Sequence, residues 1–224
     1  MCDSISKETI KYITDLSRNN NRTWFEDHRN QYELAQRNAK DFMASLSLEL
    51  NKHDRIEKSK LFRIYRDVRF SKDKTPYNPG FRMSFAREKP YLRGGYFLGI
   101  RPKETFLGAG FWNPAPADLK LIRDHIAQDD KPLRKLLKAK KFVDTFGYIQ
   151  GDQVKSCPRG FSKDHPAIDL LRFKQLIVSK VYAKTETTAG GFAKQVARDF
   201  KVIRPFFDYM SDILGHDLNG EPLY

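Results

Sequence analysis

Within residues 62 to 80, FRIYRDVRFSKDKTPYNPG, five cations (Arg63, Arg66, Arg69, Lys72 and Lys74) stand among two carboxylates (Asp67 and Asp73) and four aromatics (Phe62, Tyr65, Phe70 and Tyr77). Guanidinium forks bind phosphate or carboxylate through paired hydrogen bonds, and lysines add point charge beside them. The chemistry of this set is anion recognition, with Arg63, Arg66 and Arg69 holding the anion, Lys72 and Lys74 adding charge, and Tyr65 and Tyr77 positioning the ligand. The same residues also suit an internal ion-pair network, in which Asp67 and Asp73 satisfy the arginines and lock the segment.

A second set follows Asp164-His165-Pro166. Proline suits the first turn of a helix capped by Asp164 or His165, and on such a helix His165, Asp169 and Arg172 share one face at i, i+4 and i+7, with Lys174 just beyond. A carboxylate one turn from a histidine readies a general base near neutral pH. His165, with Asp67 as the other proton-transfer candidate, would then serve hydrolysis or group transfer. The plainer reading is a capping histidine flanked by surface charge pairs, and whether the chain is an enzyme stays open.

No metal site is expected, because the cations around Asp67, Asp73, Asp164, His165 and Asp169 oppose a divalent ion. No cofactor is named either. Gly108-Ala109-Gly110 falls within a strand pattern instead of a turn opening into a helix. Cys2 and Cys157 are far apart and form no CxxC or Cys/His cluster.

The elements that must carry these residues are legible in part. Ser6 caps a helix through Ile10, Ile13 and Leu16, and Thr23 with Glu26 opens a long amphipathic helix from Phe25 to Leu50. Phe62, Ile64, Val68 and Phe70 alternate with Arg63, Tyr65, Asp67 and Arg69 as a half-buried strand requires. Arg66 breaks that alternation, so either the chain bends there or the arginine is inserted with a partner. Asn78-Pro79-Gly80 is a turn, and Phe81, Met83 and Phe85 begin the next strand.

A hairpin turning at Arg101-Pro102-Lys103-Glu104 pairs Ile100 with Thr105, Leu98 with Leu107 and Tyr96 with Ala109 toward the core. Its other side alternates aromatics with glycines, Gly99 against Phe106 and Phe97 against Gly108. That is either aromatic cover for strand glycines or a flat floor for a ligand. A helix from Pro116, a short basic helix, a strand over 175 to 182 and a final helix from Phe192, ended or kinked by Pro205, complete the plan. The expectation is an α+β fold: a single domain over 1–214, with a central antiparallel or mixed sheet packed by long N- and C-terminal helices, and a C-terminal tail over 215–224.

The 224 residues carry 41 Lys and Arg against 28 Asp and Glu, a net charge of +13 that favours anionic partners. An anionic small molecule is the favoured partner. Nucleic acid is the alternative, with Phe97, Phe106 or Trp112 stacking on bases, and a partner-docking subunit with an exposed aromatic face is the third reading. No apolar run approaches the ~20 residues of a membrane span, and no signal segment directs export, so a cytoplasmic protein without membrane contact is expected.

The segments FRIYRDVRFSKDKTPY, GGYFLGIRP, FLGAGFWNPAP and PRGFSKDHPAIDLLRFK resemble the successive signatures of the microbial domain-of-unknown-function family 2461, over most of residues 5 to 210. The resemblance implies one α+β domain and carries no established activity or cofactor. The chain departs from it at Asn78, where the family commonly has a basic residue.

Overall fold

The computed structural model describes residues 2–217 and 220–223. Ser6 opens the first helix, α1 (Lys7–Arg18), and its hydroxyl accepts from the Thr9 amide at 3.1 Å. The long second helix expected from Thr23 is instead two. Asn21, not Thr23, caps α2 (Arg22–Asp27) by accepting from the Trp24 amide at 2.9 Å, and His28 separates it from α3 (Arg29–Asn51). His28 Nδ1 bonds the Trp24 carbonyl at 2.8 Å while its ring stacks on Trp24 at 4.0 Å, which holds the chain out of helical geometry there.

Among the described residues five strands follow the chain order across one antiparallel sheet: β1 (Ile56–Leu61), β2 (Phe81–Arg87), β3 (Gly95–Ile100), β4 (Thr105–Phe111) and β5 (Leu176–Tyr182). Between β4 and β5 lie α4 (Pro116–Gln128), α5 (Lys131–Leu137), α6 (Lys140–Phe146) and α7 (Ile168–Leu171). After β5 come α8 (Lys184–Thr187), α9 (Phe192–Val202) and α10 (Arg204–Gly215), the last two divided just before Pro205. The protein is therefore α+β. The bridge His216↔Pro222 lies beyond α10, and of the expected tail Leu218, Asn219 and Tyr224 lie outside the described residues.

The hairpin forms as its alternation requires. Arg101 N donates to Glu104 O at 2.9 Å across the turn, and Tyr96, Leu98, Ile100, Thr105, Leu107 and Ala109 are all buried. The strand expected over 62 to 70 does not form. β1 ends at Leu61, and residues 62 to 80 make a loop with one isolated bridge, Tyr65↔Tyr77.

The chain packs as two compact units. One comprises Met1–Phe85, Phe97–Leu107 and Val181–Arg198, and the other Ala86–Tyr96, Gly108–Lys180 and Asp199–Tyr224. In the first, α3 packs against α1 and β1, and Phe42 stacks on Phe192 at 5.6 Å with Tyr182 edge-on to the same ring at 5.2 Å. In the second, α10 packs on α4 and α5, with Tyr96 set edge-on between Phe200 (4.7 Å) and Phe207 (5.2 Å). Arg87 is wholly buried there; its guanidinium donates to Asp208 Oδ1 (2.9 Å) and the Arg93 carbonyl (2.8 Å) and lies 5.1 Å from the Phe207 ring centre. Pairing its Nη groups with a carboxylate and a carbonyl offsets the cost of burying the charge. Among the described residues no helix is long and apolar enough to cross a membrane.

Candidate functional site

The loop from Phe62 to Gly80 is closed at its base by three backbone bonds: Phe62 N to Arg82 O (2.8 Å), Asn78 N to Ile64 O (2.7 Å) and Arg66 N to Pro76 O (2.9 Å). Asn20 clamps Tyr77 from both sides, its Oδ1 accepting from Tyr77 N at 3.1 Å and its Nδ2 donating to Tyr77 O at 2.9 Å. Phe25 then stacks on the Tyr77 ring at 4.2 Å and meets Tyr65 edge-on at 5.8 Å. Tyr77 is thus a buried anchor, while Tyr65 is 47% exposed.

Arg66, the residue that breaks the alternation, lies in this loop, part-exposed and partnered. Its Nη1 donates to Asp73 Oδ2 at 2.5 Å, to the Thr75 carbonyl at 3.1 Å and to the Thr75 hydroxyl. Asp73 is held down to about 2 from its ordinary 3.8, first by the Thr75 amide, then by Arg66 and the Thr75 hydroxyl. Arg69 forks onto Asp67 (Nε to Oδ1 3.0 Å, Nη2 to Oδ2 2.7 Å), which lowers the Asp67 carboxyl, and Lys74 Nζ donates to the Val68 carbonyl at 3.0 Å. Arg63 and Lys72 stand exposed on the loop. Of the sequence-predicted residues, Arg63, Tyr65, Arg66, Asp67, Arg69, Lys72, Lys74 and Tyr77 thus share one loop in the first unit.

His165, Arg172 and Lys174 belong to the second unit. α7 is only four residues long, so His165 lies outside it and does not share a helix face with Asp169 and Arg172. Its Nδ1 accepts from the Ala167 amide at 3.1 Å, a capping bond. Asp169 is engaged by Arg134 (Nη2 to Oδ1 2.7 Å, Nη1 to Oδ2 2.9 Å), and that guanidinium lowers its carboxyl. Arg134 also reaches Asp130 at 2.7 Å, tying α7 to α5. His165 lines a polar cleft of about 440 Å3 with Asp129, Asp130 and Lys131. The Arg172 Nε is buried without a hydrogen-bond partner among the described residues, and Lys174 is exposed. No group of three or more His, Cys, Asp and Glu among the described residues is arranged to hold a metal ion.

A further arrangement crosses one sheet face of the first unit. Phe62, Phe97 and Phe106 stand in a row, with ring centres 6.3 Å and 5.5 Å apart, on the face opposite the buried Met83 and Leu98. Lys60 Nζ lies 4.9 Å and the Arg82 guanidinium 5.7 Å from the Phe62 centre, and Arg101 covers Phe106 at 4.1 Å. Phe106 lies flat over Gly99, where a Cβ would strike its ring. Lys60, Arg82 and Arg101 are exposed and the three rings half-buried. Cation and aromatic attract through the ring quadrupole, so each charge is held beside a flat apolar surface. Sequence reading picked out Phe97 and Phe106 but missed Phe62, Lys60, Arg82 and Arg101 as their neighbours. The signal was present in the parity of Lys58, Lys60 and Phe62, hidden because the polar run IEKSKL does not announce a strand. Trp112, the third stacking candidate, is exposed in the second unit.

A family model described as "Conserved hypothetical protein (DUF2461)" matches residues 8–209, most of the chain. The chain belongs to that family. Membership in DUF2461 covers the loop, the aromatic row and the His165 segment alike, and it carries no activity with it. Neither the curated proteins nor the solved structures contain a match to this chain.

Proposed function

We propose that this DUF2461 protein binds single-stranded nucleic acid on the Phe62–Phe97–Phe106 face. The observation that carries the reading is the row itself, three half-exposed rings on a sheet with Lys60, Arg82 and Arg101 held against them. Every base has a π-face, so aromatic platforms beside cations bind single strands with little regard to sequence. The ring spacing of 6.3 and 5.5 Å exceeds the ~3.4 Å step of stacked bases, so a base on Phe62 or Phe97 would be splayed from its neighbours, as in single strands, while Phe106, with Gly99 beneath it and Arg101 over it, braces Phe97. The net charge of +13 supplies long-range attraction of the right sign.

An anionic small molecule held by Arg63, Arg66 and Arg69 has less behind it, because Arg66 already serves Asp73 and Thr75 and Arg69 already serves Asp67. Those bonds favour an internal network that shapes the loop.

The test is a fluorescence-anisotropy titration of labelled single-stranded DNA and RNA at about 20 and 200 mM salt. Binding should weaken with salt at a log-log slope of about −2, for three phosphates neutralised on a single strand. Phe97→Ala should weaken binding roughly 5- to 150-fold, equivalent to ~1–3 kcal/mol for one stacked base. Arg82→Glu should weaken it and flatten the slope. Phe106→Leu is preferred to alanine because it keeps cover over Gly99. Absence of binding to any single strand at low salt overturns the proposal.

A further inference from the structure

We infer that Phe70 is a stacking finger, which takes a base of the same single strand beyond the sheet face; this rests on the nucleic-acid reading above. Phe70 is 97% exposed, the most exposed of the large apolar side chains described, although it sits in a loop that is tied down on every side. Immediately before and after it, Lys74 Nζ donates to the Val68 carbonyl (3.0 Å) and the Arg69 carbonyl (3.4 Å), and Ser71 N donates to Val68 O (3.3 Å). Arg66 holds the returning limb through Asp73 and Thr75. A mobile loop would fold such a ring back onto the protein, since burial of aromatic surface is favourable. Here the backbone bonds present it outward.

Its surroundings fit a phosphate-bearing partner. Arg69, its guanidinium 6.0 Å from the Phe70 ring centre, is kept in place by the Asp67 fork. Arg66, Arg69 and Lys74 serve Asp73, Asp67 and the loop carbonyls, so the charge for a phosphate comes from Arg63 and Lys72, which are exposed. The loop also springs from the aromatic row, because Phe62 is both a ring of that row and the first residue of the loop, bonded through its amide to Arg82 O. A strand that leaves the row at Phe62 thus leaves it where the loop begins. An aromatic tip flanked by cations meets the two needs of a splayed nucleotide, a stacking surface for the base and positive charge for its phosphate.

The experiment compares the full chain with its Phe70→Ala, Phe70→Trp and Phe97→Ala variants on oligothymidylates of about 4 and 16 nucleotides, the range a single binding fold covers. Phe70→Ala should weaken the long oligonucleotide roughly tenfold and leave the short one unchanged, Phe70→Trp should restore the long one, and Phe97→Ala should weaken both. Because Phe70 is exposed, the thermal midpoint of Phe70→Ala should match the parent, which keeps folding out of the comparison. If Phe70→Ala binds both lengths as the parent does while Phe97→Ala fails, the finger is overturned and the platform stands. Should the parent bind neither length, both readings fall. Binding instead to phosphatidylserine-containing vesicles, lost in Phe70→Ala, would overturn the finger in favour of a lipid contact.

Discussion

Arg66 is where side-chain parity and chain path conflict, and the conflict resolves into a loop built around one guanidinium. Five hydrogen bonds run from Arg66 to Asp73, Thr75 and Ser71, and the ion pair at their centre is half open to water, with the Arg66 side chain 21% and the Asp73 side chain 60% exposed. The folded Asp73 carboxyl titrates below its ordinary value, so its contribution is fully present above about pH 3.8 and is lost as pH falls through about 2. The Thr75 amide bonds Asp73 Oδ1 at 2.9 Å and reports that step directly. Its NMR shift should titrate with a midpoint near 2, and Asp73→Asn should abolish the step; a midpoint near 4 would show the carboxylate to be free. Sequence parity pointed to Arg66 as bent or partnered, and it is partnered. The loop itself was not legible. FRIYRDVRF carries a strand's alternation, and what overrides it is remote, the Asn20 clamp on Tyr77 and the Phe25 stack from 52 positions away, contacts that no local pattern encodes.

At the scale of elements, alternation was dependable where a turn supported it. The Arg101–Glu104 turn and the two faces of β3 and β4 followed directly from residue order, as did the halt before Pro205. Helix lengths were less legible. His28 leaves the helix to bond and stack on Trp24, and α7 stops at Leu171 where the segment after it pairs elsewhere, Lys174 N with Asp152 O (2.7 Å) and Val154 N with Arg172 O (2.9 Å). Glycine placement within β4 makes a sharper prediction. Gly110 has φ +139, and a Cβ there would run into the Leu176 carbonyl of β5. Gly147 has φ +74 with nothing within 4 Å of its position. Gly110→Ala should therefore cost ~3 kcal/mol or more, because strain and a backbone clash add, whereas Gly147→Ala should cost about 1 kcal/mol from strain alone. Calorimetry should show a thermal midpoint lowered by roughly 6–12 °C in the first and by only about 2–4 °C in the second. Equal shifts would mean that β5 yields to the added methyl.

For the molecule as a whole, the first unit is assembled from three stretches of chain, and its N-terminal end is part of the core. Ile5 is fully buried and its amide donates to Thr187 O at 3.1 Å, while Asp3 accepts from the Gly191 amide (2.8 Å) and the Ala193 amide (2.9 Å). Ile5→Ala should thus destabilise by ~2–4 kcal/mol, as a core truncation does, and chemical denaturation should show it as a lower midpoint at unchanged slope. An effect below ~0.5 kcal/mol would mark the N-terminal segment as peripheral. Discontinuity also bears on how the protein is made. As the chain leaves the ribosome, residues 1 to 85 appear first, yet Ile5 has no Thr187 and Phe42 no Phe192 until some hundred further residues have been added. At ~5–20 residues per second that delay is roughly 5–20 s. α1, α3 and β1 can cover one another during it, but the part of α3 around Phe42 that Phe192 later covers stays open, the kind of apolar surface that chaperones bind.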